Sequence, residues 1–372
     1  MTANLRHAAG SMLVVGLGGT ELTNLERAWL KLVRPAGIIL FRRNIEDAKQ
    51  THALLNAAIG LCAAHSIRCV DVEGGVVDRL RDALAPMPSA QAVMQTATQS
   101  GKTRLIREQG ELIAQSVKAF GFNTTLAPVM DLALPTSAKV MGTRAAASTP
   151  QAVTEYTHNF LAGLATHGVM GCGKHFPGLG GGTLDSHLET PSIHRTLRQL
   201  NTHDLIPYRE LRKELPMIMV NHAAYPQTQS GNRPASASPY WITTVLRKRI
   251  GYRGLIFSDD MEMGGILKFM PIEEAAVAAI RAGMDLIEIC HSPDLILRAY
   301  EALLAEAERS AAFRTLLLTR AAQTAKQRAK LFAGGVPRSL SALQLNALRN
   351  QISRFSKIIS NSQSIPRETL PA

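Results

Sequence analysis

Aromatic side chains make up only 5% of the 372-residue sequence, and no helix-turn-helix, zinc-finger or RNA-binding signature accompanies them. Nucleic-acid binding therefore lacks the stacking groups and groove-reading elements it needs. This is so even though Lys+Arg (41) exceed Asp+Glu (29) by 12. An anionic substrate or a basic solvated face accounts for that excess better. The densest basic cluster, Arg247-Lys248-Arg249, reads as the polar end of a helix.

Charge is also scarce, at 19%. The apolar share is an ordinary 46%, which excludes wholesale disorder. No apolar run approaches the roughly 18–20 residues of a membrane span. Met12–Leu17 is short and precedes no A-x-A cleavage site, so neither a signal peptide nor a membrane span is expected. The four cysteines (Cys62, Cys69, Cys172 and Cys290) form no C-x-x-C pair and sit in or beside apolar runs. Reduced, packed thiols in a cytoplasmic protein are the expectation, not a disulfide framework or zinc ribbon.

Cofactor motifs are missing too. Gly16-Leu-Gly-Gly-Thr-Glu21 fails the dinucleotide pattern at its last position, and no Gly-Lys-Ser/Thr follows the glycine-rich stretches. His175, Asp185, His187 and His222 match no helical H-x-x-x-H spacing. No metal and no organic cofactor are expected.

What is present is alternation. Short apolar runs at Met12–Val15, Gly37–Phe41, Ile67–Asp71, Thr124–Ala127, Val169–Gly173, Met217–Val220, Leu255–Ser258 and Asp285–Ile287 read as strands. Helical stretches such as Arg104–Phe120 and Pro150–Thr166 lie between them. Strand–helix alternation implies parallel βαβ units, and eight repeats over about 330 residues fit an α/β fold of the single (β/α)₈ TIM-barrel type. A doubly wound pair of domains is the other reading. The barrel is expected to span residues 1–335. Residues 336–372 are expected to form an appended helix, with one face from Leu340, Leu343, Leu348, Ile352, Phe355 and Ile359, followed by a flexible tail.

Polar residues follow several strands: Asp71 and Glu73, Asp131, Lys174 and His175, Asn221 and His222, Asp259 and Asp260. In a barrel these positions open onto the C-terminal rim, where active sites are built. Capping of the following helices is the bland explanation, but five such loops favour one shared site. After Lys174-His175 comes a loop with Gly178, Gly180, Gly181 and Gly182 and then Asp185-Ser186-His187. A carboxylate two residues from an imidazole can hold its tautomer for acid/base work near neutral pH. Alternation along a strand predicts that Asp259 and Asp260 face opposite ways, without saying which faces the pocket.

Four of these segments together resemble a known family. Asp71-Val-Glu-Gly-Gly-Val-Val-Asp-Arg79, Val140-Met-Gly-Thr-Arg144, Lys174-His-Phe-Pro-Gly with Asp185-Ser-His187, and Gly254-Leu-Ile-Phe-Ser-Asp259 occur in this order. They are similar to the retaining β-N-acetylhexosaminidases of glycoside hydrolase family 3, of the bacterial peptidoglycan-recycling type, over roughly residues 10 to 330. The resemblance implies Asp259 as nucleophile and His187, paired with Asp185, as acid/base. It further implies Asp71, Arg79, Arg144, Lys174 and His175 as ligands of the sugar in the −1 subsite. It implies a small carbohydrate substrate containing N-acetylglucosamine, such as a muropeptide; a monomeric chain is expected. Departures occur at Val72, Val76 and Leu179, where resembling sequences have Gln, Arg and His; they bear on leaving-group contacts and loop order. Phosphorolysis, action on another β-sugar, and sugar binding without catalysis are the alternatives.

Overall fold

The computed structural model describes residues 3–182, 190–333, 337 and 339–363. Eight parallel strands close a barrel: β1 (Leu13–Gly16), β2 (Gly37–Leu40), β3 (Ile67–Val70), β4 (Thr124–Thr125), β5 (Met170–Phe176), β6 (Met217–Val220), β7 (Leu255–Asp260) and β8 (Leu286–Ile289). Each pairs with its sequence neighbours and β8 pairs with β1. The strands read as continuous apolar runs because both faces are covered, by helices outside and by packed side chains inside. Val14, Ile39, Cys69, Leu126, Cys172, Met217, Phe257 and Leu286 belong to the inner cluster, which also takes in Phe332. All four cysteines are buried and free, and burial pushes the Cys62 thiol up to about 12. No helix among the described residues is long and apolar enough to cross a membrane.

The helices follow their capping chemistry. Pro150–Thr166 starts at Thr149, whose side chain accepts from the Ala152 N–H, with proline in the first turn. It packs on Arg104–Ala119 at a close crossing, where a Cβ on Gly163 would lie 2.3 Å from the Arg107 carbonyl. Predicted strand ends shift by a few residues. The change that matters for the site is at β5 and β7, which run on to Phe176 and Asp260 and so carry the polar dipeptides inside the strands.

The C-terminal helix Ala342–Gln363 lies against the helices Ala90–Ser100 and Arg104–Ala119. It buries Leu348, Ile352, Phe355 and Ile359, while Leu343, assigned above to the same face, is 82% exposed. Arg349 Nε donates to the Leu84 carbonyl (2.8 Å) and Ser356 Oγ to that of Pro86 (3.2 Å). Arg247 is not simply the polar end of its helix. Its guanidinium pairs with the buried Asp285 and donates to the Gly254 carbonyl at 2.8 Å.

Candidate active site

A cavity of about 450 Å³ opens at the C-terminal ends of the strands. Asp71, Arg79, Arg144, Lys174, His175 and Asp259, all proposed from the sequence, line it. Asp185 and His187 lie outside the described residues.

Two irregularities in the ladder set the side-chain directions. Between β5 and β6 the register runs from Gly173↔Ile218 to Phe176↔Val220, three residues against two. Between β7 and β8 it runs from Phe257↔Leu286 to Asp260↔Glu288, again three against two. An extra residue on one strand re-aims the side chains around it. Lys174 and His175 therefore both line the cavity, as do Asp259 and Asp260. The simple alternation expected for the two aspartates fails for this reason.

On the β3 side the chain forms a short hairpin, Val72–Gly74 paired with Val77–Asp78. Gly74 turns it at φ +91°, where a Cβ would lie 2.2 Å from the Pro88 carbonyl. Asp78 fixes the following loop by accepting from the Leu80 (3.0 Å) and Met87 (3.1 Å) N–H groups. Val72 is buried, and Val76 is exposed beside the cavity-lining Val77.

This hairpin presents Glu73, noted in the sequence among the polar residues that follow β3 but not among the expected sugar ligands. Glu73 is the hub of an ion-pair cluster. Lys174 Nζ lies 2.6 Å from Glu73 Oε1 and 2.8 Å from Asp71 Oδ1. Arg144 grips the same carboxylate with Nε and Nη2, both at 2.8 Å. Burial raises the Glu73 pKa, but the Arg144 and Lys174 charges more than offset it and hold the group below the usual carboxylate range. Lys174 shows the mirror image: burial lowers its pKa, and Asp71 and Glu73 more than restore it. Arg79 Nη2 stands 3.9 Å from Asp71 Oδ2.

Asp131, also on the rim but not assigned to the site from sequence, orients His175. Its Oδ2 accepts from the ring Nδ1 at 2.7 Å and from the backbone N–H at 3.2 Å. Its Oδ1 accepts from the Leu179 N–H at 2.6 Å. With the proton fixed on Nδ1, Nε2 is left as an acceptor, 3.4 Å from Arg144 Nη2. Leu179 itself lines the cavity.

The two adjacent aspartates are chemically distinct. Burial works against ionisation of Asp259, but the neighbouring His175, His222 and Lys174 and the Asp260 N–H overcome it and hold its pKa below the usual value. For Asp260 burial prevails and lifts the pKa to about 7. Asp260 Oδ1 accepts from the Glu262 (3.0 Å) and Cys290 (3.3 Å) N–H groups. His222, noted in the sequence but not assigned to the site, bridges Ser236 Oγ (2.7 Å) and the Asp260 carbonyl (2.9 Å) through its two ring nitrogens. One carboxylate is thus kept ionised in the cavity, facing a cluster of alternating cations and anions suited to sugar hydroxyls.

Residues 5–315 match the family model "Glycosyl hydrolase family 3 N terminal domain". The chain is 35% identical over 281 residues to a β-hexosaminidase of Idiomarina loihiensis, covering 76% of this chain and 84% of that protein. It is 37% identical over 287 residues to a β-hexosaminidase of Alkalilimnicola ehrlichii, with 76% and 82% covered. Among solved structures it is similar to a family 3 β-N-acetylglucosaminidase from Paenibacillus (TM-score 0.85, 28% identity, 96% of this chain and 69% of that one). It is also similar to NagZ from Neisseria gonorrhoeae in complex with N-trifluoroacetyl-D-glucosamine (TM-score 0.76, 28% identity, 94% and 98%). On these matches and the barrel that carries the cavity, the chain belongs to the β-N-acetylhexosaminidases of glycosyl hydrolase family 3.

Proposed function

We propose that the chain is a retaining exo-β-N-acetylglucosaminidase that removes non-reducing N-acetylglucosamine from peptidoglycan-derived muropeptides. The observation that carries this reading is the ionised Asp259, set in one cavity with Asp71, Lys174, Arg144 and His175. Asp71 accepts from sugar hydroxyls, Lys174 and Arg144 donate to them, and His175 offers its Nε2. The pyranose is thereby held with its anomeric carbon toward Asp259.

In the first step Asp259 attacks the anomeric carbon, forming the glycosyl–enzyme bond as the glycosidic C–O bond breaks and His187 protonates the leaving oxygen. In the second, His187, now neutral, takes a proton from water, which attacks the same carbon and releases Asp259 and the sugar. Asp185 holds the tautomer of His187. A cytoplasmic, monomeric enzyme fits the unpaired thiols and a small soluble substrate.

The test is release of 4-nitrophenol from its β-N-acetylglucosaminide, with a 2-deoxy-2-fluoro or 5-fluoro glycoside used to trap the intermediate. Mass spectrometry is expected to find the adduct on the peptide containing Asp259. Asp259→Ala is expected to lower kcat by about 10³-fold or more. An adduct elsewhere, or turnover faster on the β-glucoside, overturns the assignment, and acceleration by phosphate would mark phosphorolysis instead.

A further inference from the structure

Strand β8 places a carboxyl group in the cavity that the mechanism above does not use. Glu288 is 2% exposed and lines the cavity together with Asp71, Lys174 and Asp259. Its Oε1 accepts from the Cys290 thiol at 3.2 Å, whereas its Oε2 is buried without a hydrogen-bond partner. A buried polar atom left unsatisfied is costly, and an aliphatic side chain at this place would avoid the cost. Such an atom in the wall of a ligand cavity gains a partner when a ligand arrives and the wall adjusts to it.

The position of Glu288 says which part of a ligand it meets. It is the register partner of Asp260 across β7–β8, and so sits next to the strand that bears Asp259. Asp71 follows β3 and Arg144 lies between β4 and β5, on the side of the barrel away from β7 and β8, while Lys174 and His175 lie on β5, with β6 between them and β7. A pyranose spanning the two sides turns its hydroxyl edge to that cluster and its anomeric carbon to Asp259. A group next to the anomeric carbon then lies on the Glu288 side. We propose that Glu288 is a specificity-determining residue whose Oε2 donates a hydrogen bond to the carbonyl of a 2-acetamido group; this rests on the glycosidase reading above. Burial, with Asp260, Asp71 and Asp259 nearby, pushes the Glu288 pKa well up, which favours the protonated form such a donor needs. An amide carbonyl is the best neutral acceptor on such a sugar, and a 2-hydroxyl is weaker.

The test compares wild type, Glu288→Leu and Glu288→Gln on 4-nitrophenyl β-N-acetylglucosaminide and β-glucoside. Leucine is expected to lower kcat/KM for the acetamido substrate about tenfold while leaving the glucoside rate within about twofold. Glutamine, which still donates, is expected to stay within about threefold of wild type on both. Glu288→Met supplies the same readout if leucine disturbs packing, as judged by the thermal midpoint. An unchanged substrate ratio in the apolar variants, or an equal fall on both substrates, overturns the inference while leaving the glycosidase reading intact. If wild type cleaves neither glycoside, that reading fails. Calorimetry then compares binding of N-acetylglucosamine and glucose. Selective loss of the former in Glu288→Leu sustains the inference, and absence of any preference in wild type overturns it.

Discussion

Asp131 holds His175 at two points, accepting from the ring Nδ1 at 2.7 Å and from the main-chain N–H at 3.2 Å. One carboxylate therefore sets both the tautomer of the imidazole and the path of the strand that carries it. Asp131→Asn keeps the shape but can turn an N–H toward Nδ1, which moves the ring proton to Nε2 and removes the acceptor from the cavity. The expected result is a fall in kcat/KM of roughly 10- to 100-fold together with a lowered thermal midpoint, because the amide N–H also meets a main-chain N–H that the carboxylate accepted from. Steady-state kinetics and calorimetry check this.

Glu73 joins Lys174 and Arg144, and its side chain is 2% exposed, that of Lys174 4%. Removing one member of a buried ion cluster leaves the others desolvated and unpaired. Glu73→Gln is expected to cost about 3–5 kcal/mol of stability and most of the activity. Guanidinium unfolding measures the first and nitrophenol release the second. A stability loss below about 1 kcal/mol would show that the cluster relaxes into water.

Asp260 binds its proton more tightly in the folded chain, where its pKa is about 7, than in the unfolded one, where it is near 3.8. Between those values the native state holds the extra proton, so this group makes stability fall as pH rises from about 4 to about 7. Asn in its place still accepts from the Glu262 and Cys290 N–H groups and carries no charge. The Asp260→Asn variant is expected to melt above wild type at pH 8 and level with it near pH 4.5. Calorimetric scans across that range settle the sign.

The C-terminal helix bears on the site through the segment it covers. Arg349 and Ser356 hold the carbonyls of Leu84 and Pro86, in the loop that follows Arg79. Phe355 is 1% exposed, and Phe355→Ala is expected to cost about 3–5 kcal/mol. Arg349→Ala is expected to speed hydrogen exchange in residues 80–88 and raise KM about two- to fivefold with kcat unchanged, since it only loosens an anchor.

Much of this was legible in the sequence. The eight apolar runs and the helices between them carry the barrel, because strands buried on both faces need no alternation to be recognised. The positions after those runs carry most of the cavity, because barrel topology sends them all to one rim. Glu73 and Asp131 stood in plain view on that rim, yet their role emerges only from partners 71 and 44 residues away in the chain, Arg144 and His175. Glu288 was hidden by the same logic that found the strands. It lies inside one, where a lone carboxyl among Ile and Leu gives no sign of whether it faces the helices or the cavity. The orientation of Asp259 and Asp260 was illegible because it depends on register against β8, a relation between strands that spacing along one of them cannot encode.

The two places where β5 and β7 carry three residues against two make the arrangement sensitive to residue count as well as to residue type. Deleting one residue at either place would restore regular pairing and turn one member of Lys174/His175 or Asp259/Asp260 outward, with every other side chain unaltered. Two such barrels could agree at nearly every aligned column and still differ in whether they hold a sugar, the difference appearing only as a one-letter gap.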